Sequence, residues 1–391
     1  MQRNHAGPNL PLRFALAISI ACGAGCHNAA VQPAPSKGAG SSASSPFSVA
    51  RPSRKAIVEE MTRVANWQLA NPSSHKLWEW HQAPFWASLD AFAPLSNTPE
   101  KYYDAMRATG EANQWTHGPK RFHADDQAIT QTYFLLNARE KNPKMTAEAL
   151  TLFNEMLTMP FDEALDFDQN KTNREWIWCD ALFMSPPALA LATRQTGDIR
   201  YADMMARLWW KTTDYLYDPA ENLYYRDSRY FGQRAANGAK VFWSRGNGWV
   251  IAGLARVLQY LPRDYAARPR FTALFKDMAA KVVTLQKPDG YWPVSLLSAE
   301  SIPIPETSGT AFFTYAMAWG VNEGLLDHAA YEPAIWKGWA ALNRAVLPSG
   351  KLGYVQEVGA APGKTGPDET EVYGVGAYLL AGSEVYRLSA R

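Results

Sequence analysis

The chain has 391 residues, 47% of them hydrophobic, which is ample for a sizeable core and for one large domain or two to three ordinary ones. Only 19% are charged while 13% are aromatic, with 15 Trp and 18 Tyr, so disorder is excluded for the bulk of the chain. The formal net charge is +2, and without residues 1–25 the chain carries 37 basic and 37 acidic side chains, which indicates neither a nucleic-acid partner nor a polyanion-binding surface.

Arg3 and Arg13 precede the apolar run Phe14–Ala21, which is too short to span a bilayer and exits into small residues. Residues 1–26 therefore read as a secretory signal peptide. Its exit, Gly23-Ala-Gly-Cys26, resembles a bacterial lipoprotein cleavage site without the usual large apolar residue three before the cysteine, so lipidation of Cys26 and ordinary cleavage both stay open. Residues 27–53, rich in Ala, Pro, Gly and Ser, read as a flexible linker. The expected location is the bacterial periplasm or the outer membrane, with membrane contact only through that lipid. Cys179 is the one cysteine of the body, so no internal disulfide can form there.

From Arg54 to the C-terminus the apolar residues recur at three and four. The spacing predicts helices at Ile57–Leu69, Pro84–Phe92, Pro99–Thr109, Asp126–Ala138, Ala147–Leu157 and Trp176–Thr193. Further on it predicts Tyr201–Leu216, Trp249–Leu261, Phe271–Leu285, Thr310–Val321, Tyr331–Val346 and Val372–Tyr386. Junctions such as Thr196-Gly-Asp198 and Gly324-Leu-Leu-Asp327 supply a C-terminal glycine and then an N-cap aspartate. No β-alternation persists. The expected fold is all-α, one domain over residues 54–391, closed as an (α/α)6 double ring with the loops 217–247 and 286–309 around one mouth.

Three segments carry candidate chemistry. In Trp176-Ile-Trp-Cys-Asp180-Ala-Leu-Phe-Met, the carboxyl of Asp180 lies among Trp178, Cys179, Leu182 and Phe183. Lost hydration would raise its pKa and suit it to donate a proton; a buried cap or an Arg partner is the structural alternative. His123-Ala-Asp125-Asp126-Gln127 opens another helix, where acids are ordinary first-turn residues. Opposite Asp180 across a cavity, one of them would complete a two-carboxylate site. In Phe242-Trp-Ser-Arg245-Gly-Asn-Gly-Trp249, Arg245 beside a helix start capped by Asn247 would receive a carboxylate, and Trp243 and Trp249 would stack on a sugar. Glu306, in Pro305-Glu-Thr-Ser-Gly-Thr310, reads as a rim residue or a cap, and Gly374-Val-Gly376 as a close-packing feature. There is no HExxH, P-loop or GxSxG, and Asp166-Phe-Asp-Gln-Asn170 fails as a calcium loop because Lys171 replaces its glycine. No cofactor and no metal is expected.

Asp125-Asp-Gln-Ala-Ile-Thr-Gln-Thr-Tyr133, Trp178-Cys-Asp-Ala-Leu-Phe-Met-Ser-Pro-Pro187, Phe242–Trp249, Pro305–Thr310 and Tyr373–Glu384 together resemble glycoside hydrolase family 105, the unsaturated rhamnogalacturonyl hydrolases related to the unsaturated glucuronyl hydrolases of family 88. The resemblance implies an (α/α)6 barrel and an unsaturated acidic oligosaccharide as substrate. It implies protonation at C4 and hydration at C5 of a 4,5-unsaturated uronic acid, then collapse of the hemiketal and release of the glycosidic bond. It places the general acid/base on Asp180 and a second acid on Asp126 rather than Asp125, and Arg245 and Trp249 match family positions that contact the unsaturated sugar; Asp125, Trp178, Arg226, Trp243 and Glu306 are the other residues expected at the substrate. Several relatives carry a histidine near Leu223–Ser228, where this chain offers Arg226 or Asp227, which puts the leaving sugar in question. Two other readings stay open: an inverting glycosidase on saturated acidic chains, and a non-catalytic carbohydrate-binding protein.

Overall fold

The computed structural model describes residues 51–390. The expected signal peptide, Cys26 and all but the end of the linker lie outside the described residues. The helices are α1 (Arg54–Ala70), α2 (Ala83–Phe92), α3 (Pro99–Ala112), α4 (Ala124–Gln127), α5 (Thr130–Glu140), α6 (Ala147–Met156) and α7 (Ala181–Met184). They continue as α8 (Pro186–Thr196), α9 (Ile199–Leu216), α10 (Ser244–Tyr260), α11 (Arg268–Val283), α12 (Thr307–Asn322), α13 (His328–Arg344) and α14 (Val372–Leu388).

Two kinds of helix alternate along the chain, and the difference is legible in their burial. In α12 every residue is buried, and in α10 and α14 nearly every one. In α11 burial is confined to Phe271, Leu274, Phe275, Met278, Ala279 and Val282, the single stripe of a helix with one face in water. The buried helices close a ring: α2 packs on α5, α5 on α8, α8 on α10, α10 on α12, α12 on α14, and α14 back on α2. The one-faced helices α1, α3, α9, α11 and α13 lean on that ring from outside. This is the expected double ring of helical hairpins.

Connection lengths then give the barrel two unlike ends. Passages from inner to outer helices are short: residues 93–98, 141–146, 197–198, 261–267 and 323–327. Gly197 and Gly324 take positive φ there, and Asp198 and Asp327 cap the next helices as expected. Passages from outer to inner helices are longer: 71–82, 113–123, 157–180, 217–243, 284–306 and 345–371. All six therefore gather at the N-terminal ends of the inner helices, where long irregular segments have room to build a site.

Three local expectations differ from the structure. The helix expected at Trp176–Thr193 is absent before Asp180, and it restarts at Pro186 because Pro186 and Pro187 lack the N–H groups a continuous helix needs. Asp180 thus stands at a loop end rather than inside a helix. The helix expected at Asp126–Ala138 tightens at residues 128–129, where the Gln131 and Thr132 amides donate three residues back, to Ala128 and Ile129. The 217–247 loop contains a two-residue hairpin, β1 (Tyr217–Asp218) antiparallel to β2 (Leu223–Tyr224), too short for periodicity to reveal.

Gly376 marks the closest ring contact. A Cβ there would lie 2.5 Å from the Pro84 carbonyl carbon and 2.6 Å from the Phe85 nitrogen, so α14 and α2 meet backbone to backbone. Replacing Gly376 by Ala should cost about 1–3 kcal/mol through overpacking. Thermal unfolding checks this against Gly232→Ala, whose Cβ would meet nothing within 4 Å and which should leave the melting temperature nearly unchanged.

Candidate active site

The hairpin carries the chain directly into the mouth. The Tyr225 amide donates to the Leu216 carbonyl at 3.0 Å and the Cys179 amide to the Arg226 carbonyl at 2.8 Å, so the segment after β2 is laid beside the segment before α7. This juxtaposition brings Arg226 to Asp180. Arg226 Nε donates to Asp180 Oδ2 at 3.2 Å and Nη1 to Asp227 Oδ2 at 2.8 Å. Asp227, fully buried, is held from its other side by Arg229, whose Nε donates to Oδ1 and Nη2 to Oδ2, each at 2.9 Å. Burial opposes the Arg226 charge, but Asp180 and Asp227 more than offset it and hold its pKa above the ordinary value. Asp227 is correspondingly held below the usual carboxylate range: burial would raise it, and Arg229 and Arg226 outweigh that effect.

Asp125 completes the group from the start of α4. Its side chain is one-fifth exposed and lies beside His123, with 3.8 Å between Asp125 Oδ2 and His123 Nδ1. Burial, and then the negative charge of Asp180, push its carboxyl up to about 8, against the opposing pull of Arg226. At neutral pH Asp125 is therefore protonated beside the Asp180–Arg226 pair. His123 is kept neutral by burial, with a pKa near 4, and its ring packs 4.7 Å from that of Trp178.

Asp126 is held by a different set of partners. The Asp126 carboxylate accepts from the Lys120 amide at 2.5 Å, its carbonyl accepts from the Gly118 amide at 2.8 Å, and a Cβ on Gly118 would strike its carboxyl carbon at 2.6 Å. It fastens the 113–123 loop. Asp125, expected at the substrate or as the second acid, is the one whose charge interacts with Asp180.

The Phe242–Trp249 segment is more deeply seated than its composition suggested. Arg245 is fully buried; Nη1 donates to the Gln356 carbonyl at 2.7 Å and Nη2 to the Glu357 carbonyl, and its guanidinium lies 4.3 Å from the Trp243 ring. Trp243 is itself buried and donates to Gln356 Oε1 at 3.0 Å. Asn247 is not the cap: α10 starts at Ser244, and Asn247 takes the Tyr224 amide on Oδ1 at 2.7 Å and gives Nδ2 to the Tyr224 carbonyl, fixing the hairpin. Of the two expectations for Glu306, rim residue or cap, the second holds: it is buried as the N-cap of α12 and accepts from the Ser308 and Gly309 amides at 2.9 and 2.8 Å. These residues brace the mouth in this structure. Trp249 is likewise buried, packed against Phe312 at 4.3 Å and lying edge-on to Trp80 at 6.2 Å.

Trp80 was not singled out from the sequence. Partly exposed in the 71–82 loop, it stacks on Tyr373 at 5.4 Å and on His81 at 3.9 Å. The signal available was Leu77-Trp-Glu-Trp-His-Gln82, a polar–aromatic alternation outside every helical period.

Residues 53–389 match the family model Glycosyl Hydrolase Family 88. An Unsaturated 3S-rhamnoglycuronyl hydrolase of Formosa agariphila is 37% identical over 343 residues, which cover 85% of this chain and 91% of that protein. A solved glycosyl hydrolase family 88 structure from Bacteroides vulgatus superposes with a TM-score of 0.77 at 30% identity, covering 86% of this chain and 99% of that one. A solved polysaccharide lyase superposes with a TM-score of 0.78 at 33% identity, covering 86% and 98%. With an acid pair at the mouth of a six-hairpin barrel and a family match over almost all the described residues, the chain belongs to glycosyl hydrolase family 88.

Proposed function

We propose that this chain is an exported hydrolase that removes the terminal 4,5-unsaturated uronic acid from lyase-generated oligosaccharides, with a rhamnosyl residue as the leaving sugar. The carrying observation is the paired arrangement of Asp125 and Asp180 with Arg226 between two acids. The name of the Formosa relative, an unsaturated rhamnoglycuronyl hydrolase, supports the substrate class. The basic, apolar leader supports export.

Two buried carboxyls whose charges interact share one proton more cheaply than they both ionise. One member of the pair gives the proton to C4 of the enol ether, which leaves the positive charge at the ring oxygen and C5. The other, now also a carboxylate neighbour, takes a proton as water adds to C5, and the pair regains the proton it spent. The resulting hemiketal opens and frees the leaving sugar. No protein nucleophile is needed, unlike the retaining scheme. Asp180 is the member expected to face C4 and to pass on the proton that it shares with Asp125, and Arg226 keeps its carboxyl group in register for that transfer.

The similarity to a polysaccharide lyase favours a second reading, elimination rather than hydration, and one assay separates the two. Lyase digests of ulvan and pectin should lose the ultraviolet absorbance of the conjugated double bond when the protein is added. A rise in absorbance on undigested glycan would establish elimination instead. Product release with unchanged absorbance would support a glycosidase acting on saturated chains.

Asp180→Asn should retain substrate binding and lose about 100- to 10,000-fold in kcat. Asp125→Asn should fall similarly, whereas Asp126→Asn should keep near-normal kcat. Because Asp125 is protonated below about 8, wild-type kcat should decline as pH rises through that value. Steady-state kinetics across pH on the three variants checks these outcomes.

A further inference from the structure

The 71–82 loop gathers a second cluster that the sugar chemistry does not use. His75, Glu79 and His81 each offer one ligand atom, and the three atoms lie within 4.8 Å of one another. His75 Nδ1 is 3.4 Å and His81 Nδ1 is 3.7 Å from the same atom, Glu79 Oε2. Those separations exceed ordinary hydrogen bonds and come near the edge of about 3.4 Å for a tetrahedron whose ion–ligand bonds are about 2.1 Å.

Two further observations point to a ligand. His81 Nδ1 is buried without a hydrogen-bond partner, and a buried ring nitrogen left unsatisfied calls for a cause. On the far side of His75, Nε2 lies 3.4 Å from Glu371 Oε2 at the start of α14. A carboxylate on one ring nitrogen orients a histidine whose other nitrogen meets a metal. A cavity of about 290 Å³ opens beside this His75–Glu371 pair, lined also by Trp67, Asn71, Ser74 and Thr370.

We propose that His75 Nδ1, Glu79 and His81 Nδ1 bind a divalent first-row transition ion of the Zn²⁺ class, with Glu371 orienting His75. Two imidazoles and one carboxylate suit such an ion better than Mg²⁺ or Ca²⁺, which take oxygen ligands. Three protein ligands leave one tetrahedral position open. The two imidazoles stack at 3.6 Å and 4°, so binding turns one ring out of the stack to aim both nitrogens at one point. The ion would tie the 71–82 loop to the start of α14, beside the Trp80–Tyr373 stack at the rim of the mouth.

The test uses the full chain after dialysis against EDTA, titrated with CoCl₂ and, separately, ZnCl₂. The expected result is one Co²⁺ per chain with the intense visible bands of a four-coordinate site, displaced by Zn²⁺. Both Glu79→Gln and His81→Gln should abolish that spectrum, and Glu371→Gln should weaken affinity about 10- to 100-fold. Circular dichroism and melting of each variant without metal verify that it folds. Absence of stoichiometric binding to wild type would overturn the proposal, as would an unchanged Co²⁺ spectrum in folded Glu79→Gln and His81→Gln. Neither readout involves sugar turnover, so this result and the hydrolase assignment stand or fall separately.

Discussion

Around one guanidinium, that of Arg226, three carboxyl groups are brought out of water: Asp180 and Asp227 by direct bonds, and Asp125 through its charge interaction. Carboxylates clustered with so little solvent would repel and protonate without a buried cation. Removing one partner from a buried pair of this kind costs about 3–5 kcal/mol. Arg229 neutralises the remaining excess at Asp227, so that Arg226 is left to serve Asp180. Burial and then the charge of Asp180 raise the Asp125 carboxyl to about 8, so that it holds a proton near neutral pH. One ionic arrangement thus creates the asymmetric acid pair that the chemistry needs.

The barrel supplies the setting for that arrangement. Inner helices buried on all sides place their N-terminal ends at one mouth, and every long connection is spent there. The other end carries short turns and the C-terminal residues of α2, α5, α8 and α10, where Asp90, Arg139, Lys141, Arg194 and Tyr260 line a polar cavity of about 790 Å³. Cations at helix C-termini complement the macrodipoles there, so their presence at that end has a structural cause. At the mouth the dipoles instead favour an anion, in keeping with a uronate. No helix among the described residues is long and apolar enough to cross a membrane.

Much of this was legible in the sequence, because three-and-four periodicity marks helices whether one face or all faces are buried. The twelve expected segments correspond to the six hairpins, and Asp180 stood out as a carboxyl amid Trp178, Cys179 and Phe183. Less legible were features set by contacts between distant segments. Asp125 and Asp126 differ by one position, and the path of the 113–123 loop decides that Asp126 is tied to the Lys120 amide while the charge of Asp125 meets that of Asp180. Arg245, Asn247 and Glu306 carry the residue types of a binding site, yet their polar groups are turned to backbone carbonyls and amides. The polar residues of a tightly braced mouth and those of an open receptor have the same composition. His75, Glu79 and His81 were overlooked because their loop has no period, and Glu371 joins them from almost three hundred residues away.

Hydration across the double bond and hydrolysis at the anomeric carbon put the oxygen of water on different atoms. Turnover of the ulvan-lyase oligosaccharide in H₂¹⁸O, followed by mass spectrometry of both products, separates the two most directly. Hydration at C5 places ¹⁸O in the uronate-derived product and leaves the glycosidic oxygen of the released sugar unlabelled, with one solvent deuteron at C4 when D₂O is used. Label at the anomeric carbon with the C4–C5 double bond intact would contradict it.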